Sequence, residues 1–359
     1  WLEDYALFSA LKRENHGAPF WEWRAGEREG DAAALEEARR RLSEDIRYEK
    51  GVQYLFFSQF ARLKAYAAKR GVRLFGDLPF YVSADSADVF FHRDEFFLDA
   101  RGAPSLVAGC PPDAFSAAGQ LWGNPIYRFD VMRERGYGFW LSRLSFSLGM
   151  FDLLRIDHFR GFDAFYTVPA DAADARTGAW QKGPGADLFR TVRETLGDLP
   201  LVAEDLGFVT DSVRELLRTT EIPGMKVLQF AFDSRESGDY LPYRYPMQSV
   251  VYTGTHDNDT LRGFCRHAAP TDIAYAMRYL LADDEESLCR NMMLGALSSV
   301  SDLAILTVQD LLGLGSEARI NTPGTKSGNW EFRLPRPLGE KEARFLSEYT
   351  ELYGRCGNF

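Results

Sequence analysis

The chain has 359 residues, 42 basic and 52 acidic side chains, a net charge of −10 and 45% hydrophobic residues. That length supports a large buried core, and the acidic balance counts against a nucleic acid or an anionic membrane as partner. The most apolar region, Met292–Val308, is broken by Ser298, Ser299, Ser301 and Asp302, so no run of about 18 apolar residues is available to span a membrane.

Residues 1–70 read as helical. LEDYALFSALKRE places Leu2, Tyr5, Ala6 and Leu11 near one stripe, with charges opposite. The tract from Asp31 to Gly71 reads as two helices, interrupted at Gly51 and stopped at Gly71. The pattern then changes to short apolar runs: Arg73–Val82, Phe151–His158, Pro200–Leu206, Gly224–Phe232, Ser249–Asp257 and Asp302–Asp310. Between them lie helical candidates at Gly138–Ser147, Ala186–Leu196, Ser212–Thr219 and Ile273–Leu281. Alternation of nearly continuous apolar strands with helices predicts a parallel sheet covered by helices.

No signal peptide is expected. Cys110, Cys265, Cys289 and Cys356 are scattered and form no CxxC pair. They read as free thiols in a reducing cytoplasm, not as a zinc site or a disulfide frame. The 27 Phe, 16 Tyr and 7 Trp serve mainly as core, although some suit stacking against the apolar faces of sugar rings.

Three predicted strands end in acid, at Asp157, Glu204 and Asp257, and a fourth contains Asp77. In parallel α/β folds chemistry sits at the carboxyl ends of strands. A single acidic end has a plainer explanation as a strand terminator or helix cap, and three in one sheet are harder to assign to chance. Strand alternation puts Arg155 and Asp157 on one face. A nearby cation favours an ionised carboxylate, which suits a nucleophile. Glu204 follows Leu201, Val202 and Ala203, and apolar surroundings favour a protonated carboxyl, which suits a general acid. Asp205 points to the opposite face, and Asp257 shares its face with Thr255 and Thr253. His158 and His256 each adjoin an acid. A metal cluster is the weaker reading, because no HxH or HxxxH spacing is present. A carboxylate nucleophile with a carboxylic acid is the equipment of glycoside chemistry, and a third carboxylate can bind ring hydroxyls.

RIDHFRGF, AEDLG and GTHDND, with GDLPFYV upstream, closely resemble the 4-α-glucanotransferases, also called amylomaltases or disproportionating enzymes. WLEDYALFSALK, VAGCPPDAFSAAGQLWGNPIY and INTPGTKSGNW resemble the same family, so the likeness covers nearly the whole chain. The resemblance implies a (β/α)8 TIM barrel of the α-amylase clan. It is expected to be incomplete here, with about six strands, a helical subdomain at 1–70, barrel elements at 71–335 and a C-terminal helix at 336–359. WLEDYALFSALK falls well inside the family's sequence, so the chain is expected to be a fragment or part of a longer protein.

By the same resemblance Asp157 is the nucleophile, Glu204 the acid/base and Asp257 the transition-state stabiliser. Asp77, Arg155, His158 and His256 match substrate and nucleophile contacts. In the acceptor-side loop 105–127, Asp113, Phe115, Gln120 and Trp122 occupy sugar-binding positions. Ala114 stands where some members carry tyrosine. Asn321–Thr325 and Trp330 are expected to brace the barrel end, and His92 and His267 to be structural. The implied partners are maltooligosaccharides and starch- or glycogen-derived glucans. No cofactor and no metal are expected, and the sequence sets no oligomeric state. A hydrolase of the same clan or a non-catalytic glucan-binding relative are the alternatives.

Overall fold

The computed structural model describes residues 1–112, 116–207, 209–234, 239–325 and 327–356. Contacts divide the chain into two compact units, Trp1–Ile222 and Pro223–Phe359.

The first unit begins with four helices. α1 (Leu2–Glu14) buries Leu7, Phe8 and Leu11 and carries acids in its first turn and bases in its last, in the sense that the helix dipole favours. α2 (Ala25–Glu29) is short. α3 (Ala32–Arg41) starts at Asp31, whose side chain accepts the Ala34 N–H at 2.9 Å. α4 (Ser43–Ala68) runs unbroken through Gly51. The predicted interruption at Gly51 is therefore wrong, and the break falls at Leu42 (φ −99°, ψ 20°). A helix-interior glycine costs only about 1 kcal/mol, which a helix of 26 residues absorbs. Gly71, at φ 71°, follows the end of α4 as expected.

Next come β1 (Phe75–Leu78), α5 (Ala87–Phe91), β2 (Leu106–Cys110), β3 (Gln120–Pro125), α6 (Phe129–Glu134) and α7 (Gly138–Met150). They are followed by β4 (Leu153–Ile156), β5 (Ala164–Pro169), β6 (Ala179–Lys182), α8 (Ala186–Leu196), β7 (Leu201–Ala203) and α9 (Asp211–Thr220). β1, β4 and β7 pair in parallel, with Asp77 opposite Arg155 and Arg155 opposite Val202. Leu154, Ile156, Leu201 and Ala203 are buried in one core with Trp140 and Leu144 of α7 and Leu188 and Val192 of α8.

A second sheet, β3-β2-β5-β6, is antiparallel. It corrects the reading of 105–127 as a loop: the segment contributes a hairpin. Glycines within and beside its strands (Gly109, Gly119 and Gly123) and a register shift between Val107 and Gly109 disguise the alternation that marks a strand. A Cβ at Gly109 would lie 2.4 Å from the Gln120 carbonyl oxygen and 3.2 Å from Val168. Gly109→Ala is expected to destabilise the first unit by about 1–3 kcal/mol, the usual scale of overpacking. It should also lower activity by moving Trp122 on β3. Chemical denaturation checks the first effect, and an unchanged midpoint would show that the hairpin absorbs the methyl group.

The second unit holds β8 (Gly224–Val227), β9 (Ser249–Tyr252) and β10 (Leu303–Ile305), which pair in parallel in that order. Its helices are α10 (Leu261–His267), α11 (Pro270–Leu280), α12 (Glu285–Leu297), α13 (Val308–Leu311) and α14 (Glu340–Leu352). Each of the six predicted apolar runs thus contains a parallel strand, three in each unit. β9 ends at Tyr252, so strand alternation does not extend to Asp257. Thr253 instead donates its hydroxyl to buried Asp310 at 2.8 Å. The cysteines are thiols, but they are not all scattered: the Cys265 and Cys289 Sγ atoms lie 3.6 Å apart. Among the described residues no helix is long and apolar enough to cross a membrane.

Candidate active site

The first unit assembles its charged residues at the carboxyl ends of β1, β4 and β7. The register of β1 against β4 sets Asp77 beside Arg155. Arg155 Nη1 donates to both Asp77 carboxylate oxygens, at 2.7 and 2.8 Å, and lies 2.9 Å from Asp157 Oδ1. The guanidinium is buried at 8% exposure, while the two carboxylates keep 41% and 42%. The cation is therefore inside and the acids face outward. Burial alone would lower the Arg155 pKa, but Asp77, Asp157 and Glu204 together raise it above the ordinary value.

Glu204 is the first residue after β7, and backbone bonds tie it to the tip of β4. Its N–H donates to the Ile156 carbonyl at 3.0 Å, and its own carbonyl accepts the Phe159 N–H at 3.1 Å. Its carboxyl oxygens accept the His158 N–H at 2.8 Å and the Leu206 N–H at 2.9 Å. Burial pushes its pKa up to about 7. The Asp157 charge adds to the rise, while Arg155 and the two backbone donors oppose it. Asp205 beside it is buried.

His158 adopts the left-handed conformation (φ 49°, ψ 48°). Its ring sits 5.9 Å from Phe80, 6.0 Å from Tyr81 and 5.2 Å, edge-on, from Trp122. Burial lowers its pKa to about 4, against the opposing pull of Asp157, so the imidazole is neutral near pH 7. Trp122 is 39% exposed and donates Nε1–H to Gln120 Oε1 at 3.1 Å. Its ring is part exposed and also meets Tyr81 edge-on at 6.2 Å. Gly119, just before β3, and Gly123, within it, both take positive φ, which glycine adopts without strain. Asp113 and Phe115, with Ala114, lie outside the described residues. His92 contacts the Asp88 carbonyl, and His267 contacts Asp259, which are structural bonds.

Asp257 and His256 belong to the second unit, on the loop after β9. The loop is laced internally: Asn258 Oδ1 accepts the Thr255 N–H and hydroxyl, each at 2.9 Å, and Asp257 N–H donates to Thr255 Oγ1 at 3.2 Å. His256 Nε2 lies 3.4 Å from Asp257 Oδ2. Asn321 Nδ2 donates to Asp257 Oδ1 at 2.6 Å, and Arg319 Nη2 donates to the Asp257 carbonyl at 2.5 Å. The Trp330 ring stands 5.1 Å from that of His256. Asn321 and Trp330 therefore touch candidate site residues, a role beyond the bracing expected of them. Tyr81, inside the GDLPFYV motif, packs against His158 in the first unit, and Arg319, which no sequence pattern singles out, holds the Asp257 backbone in the second. INTPGTKSGNW is a visible motif, but its Pro-Gly and Ser-Gly pairs read first as turns.

Two carboxyl groups held in different environments can divide the labour of glycoside chemistry between a nucleophile and an acid. Comparison with known proteins agrees with that chemistry. The family model described as 4-alpha-glucanotransferase matches residues 1–338. A 4-alpha-glucanotransferase of Thermus thermophilus is 47% identical over 98% of this chain and 72% of its own length. That of Clostridium butyricum is 41% identical over 99% and 74%. A solved structure, an amylomaltase from Streptococcus agalactiae in complex with acarbose, superposes with a TM-score of 0.96 at 38% identity. It covers 100% of this chain and 73% of its own. With the α/β fold of the α-amylase clan and relatives at this identity over almost all of its residues, the chain belongs to the 4-alpha-glucanotransferase family.

Proposed function

We propose that the chain moves α-1,4-glucan segments between maltooligosaccharides by a retaining double displacement, with Asp157 as nucleophile and Glu204 as acid and then base. Asp157 attacks the anomeric carbon while Glu204 delivers its proton to the departing glycosidic oxygen. The 4-hydroxyl of an acceptor chain then displaces Asp157 from the glycosyl-enzyme, giving its proton back to Glu204. Asp257 steadies the oxocarbenium-like ring by accepting from its hydroxyls. Asp77 and Arg155 fix the attacking carboxylate. His158 acts as a neutral hydrogen-bonding wall, and His256 stands beside Asp257. Trp122 and Gln120, with Asp113 and Phe115, form the acceptor side. The substrates are maltooligosaccharides and starch- or glycogen-derived glucans.

The observation that supports this reading best is the difference in surroundings between Glu204 and Asp157 at the tips of β7 and β4. Glu204 has its pKa raised to about 7, and next to it Asp157 is ion-paired to Arg155. A non-catalytic relative is expected to have lost a carboxylate, and Asp157, Glu204 and Asp257 are all present. A clan hydrolase would share the acids and differ in letting water win as acceptor. An exposed tryptophan on the acceptor side favours sugar over water.

Maltotriose decides between them. The expected products are glucose and a ladder of longer maltodextrins, resolved by chromatography. Glucose and maltose without longer products would identify a hydrolase.

A further inference from the structure

We propose that Asn321 is the positioning residue of Asp257, holding one carboxylate oxygen so that the other is aimed at the sugar ring. The inference rests on the reading of Asp257 as transition-state stabiliser and adds a residue to it.

Asp257 lies five residues past the end of β9 and is 40% exposed. A carboxylate on a loop is free to turn about χ1 and χ2, and useful catalysis requires placement within about 0.5 Å. Among the described residues the hydrogen bond that restrains this carboxylate comes from Asn321 Nδ2, at 2.6 Å to Oδ1. The His256 nitrogen, at 3.4 Å from Oδ2, is too distant to fix it.

Asn321 is itself fixed. Its N–H donates to the His256 carbonyl at 3.1 Å. Its carbonyl accepts Arg319 Nε at 2.8 Å, and the same guanidinium donates Nη2–H to the Asp257 carbonyl. One arginine thus ties the backbone of 257 to the backbone of 321. The segment beyond closes on itself through Trp330 N–H to the Ile320 carbonyl at 2.8 Å and Thr322 N–H to Asn329 Oδ1 at 2.9 Å. Asn321 therefore stands at the neck of a closed loop, and Trp330, in the left-handed region at φ 64°, faces His256.

The residue type matters. An amide orients the carboxylate without cancelling its charge, whereas lysine or arginine at this place would neutralise the charge needed against an oxocarbenium-like ring.

The test compares Asn321→Ala and Asn321→Asp with wild type. Thermal melts establish that each is folded. The aspartate is nearly the same size; it replaces the donor with an acceptor and sets a second carboxylate against Asp257, so its loss should be at least that of alanine, and it keeps the test falsifiable if the alanine variant does not fold. Both variants are expected to lose about 10–100-fold in kcat/KM, the scale of a 1 Å misplacement. Affinity for acarbose, whose flattened cyclitol ring imitates the transition state, should fall by the same factor. Affinity for maltotetraose, measured in a Glu204→Gln background, should stay within about twofold. Adding Asn321→Ala to Asp257→Ala should weaken acarbose binding no further, because the positioned group is gone. Unchanged kcat/KM in Asn321→Asp would overturn the proposal. So would equal losses for acarbose and maltotetraose, or a full additional loss in the double variant. If Asp257→Ala alone keeps wild-type activity, the reading of Asp257 itself fails, and that result is seen separately.

Discussion

Asp157→Asn is expected to lower kcat/KM by a factor on the order of 10⁵ or more, the scale on which removing a covalent nucleophile acts. An amide at this place cannot attack the anomeric carbon, and the first displacement stops. The fold should survive. Arg155 keeps both bonds to Asp77, at 2.7 and 2.8 Å, so the buried guanidinium is not left without a carboxylate. The denaturation midpoint should therefore move little, and the loss can be assigned to chemistry. Intact-protein mass spectrometry after exposure to a fluorinated activated maltosyl donor checks it: wild type should gain the mass of a glycosyl group, and Asp157→Asn should not. A trapped glycosyl-enzyme in the variant would move the nucleophile to another residue.

Glu204→Gln should cost about 10²–10⁴-fold on ordinary maltodextrins, as the loss of general acid–base catalysis does. The loss should shrink for an α-maltosyl fluoride donor in the glycosylation step, because fluoride departs without a proton. In wild type, kcat/KM should fall as pH rises through about 7, where Glu204 gives up its proton. That limb should be missing in the glutamine variant.

The same group links stability to pH. The folded pKa, about 7, lies above the ordinary 4.5. Between those values the folded chain binds more protons than the unfolded one, so this contribution is fully present below pH 4.5 and is lost as pH rises through 7. Glutamine removes the charge penalty but has only one acceptor oxygen, so either the His158 or the Leu206 N–H loses its partner. An unpaired buried donor costs about 1–3 kcal/mol. The variant should be less stable than wild type at pH 5, with the gap narrowing toward pH 8. A gap that widens with pH would contradict the raised pKa.

The features legible in the sequence share a physical origin. β4 and β7 are buried on both faces, so their residues form apolar runs, and the charged residues that break those runs mark the strand tips. That is why Arg155, Asp157 and Glu204 stand out in the amino-acid order alone. Their contacts lie within a few residues or across one ladder step, where alternation and register do the placing. Asn321 and Asp257 are 64 positions apart, and no local periodicity connects them. The β2–β3 hairpin is hidden for a different reason. Gly109, Gly119 and Gly123 break the alternation, and Leu121 and Trp122 are both exposed, so the apolar pattern points to neither face. At Gly51 the local preference of one residue yields to the length of α4.

The left-handed turn at His158 bears on how natural variation at this place should be interpreted. Such a backbone admits glycine, asparagine, aspartate and histidine with modest strain and penalises bulky or β-branched side chains. The same residue's N–H also holds the acid/base carboxyl, a service that any residue able to make the turn performs. Evolution therefore chooses here from a short menu before the chemistry of an imidazole is consulted. Invariance of this histidine among homologues would testify first to the shape of the chain. Its ring has to be judged by exchange for asparagine, which keeps the turn and discards the imidazole.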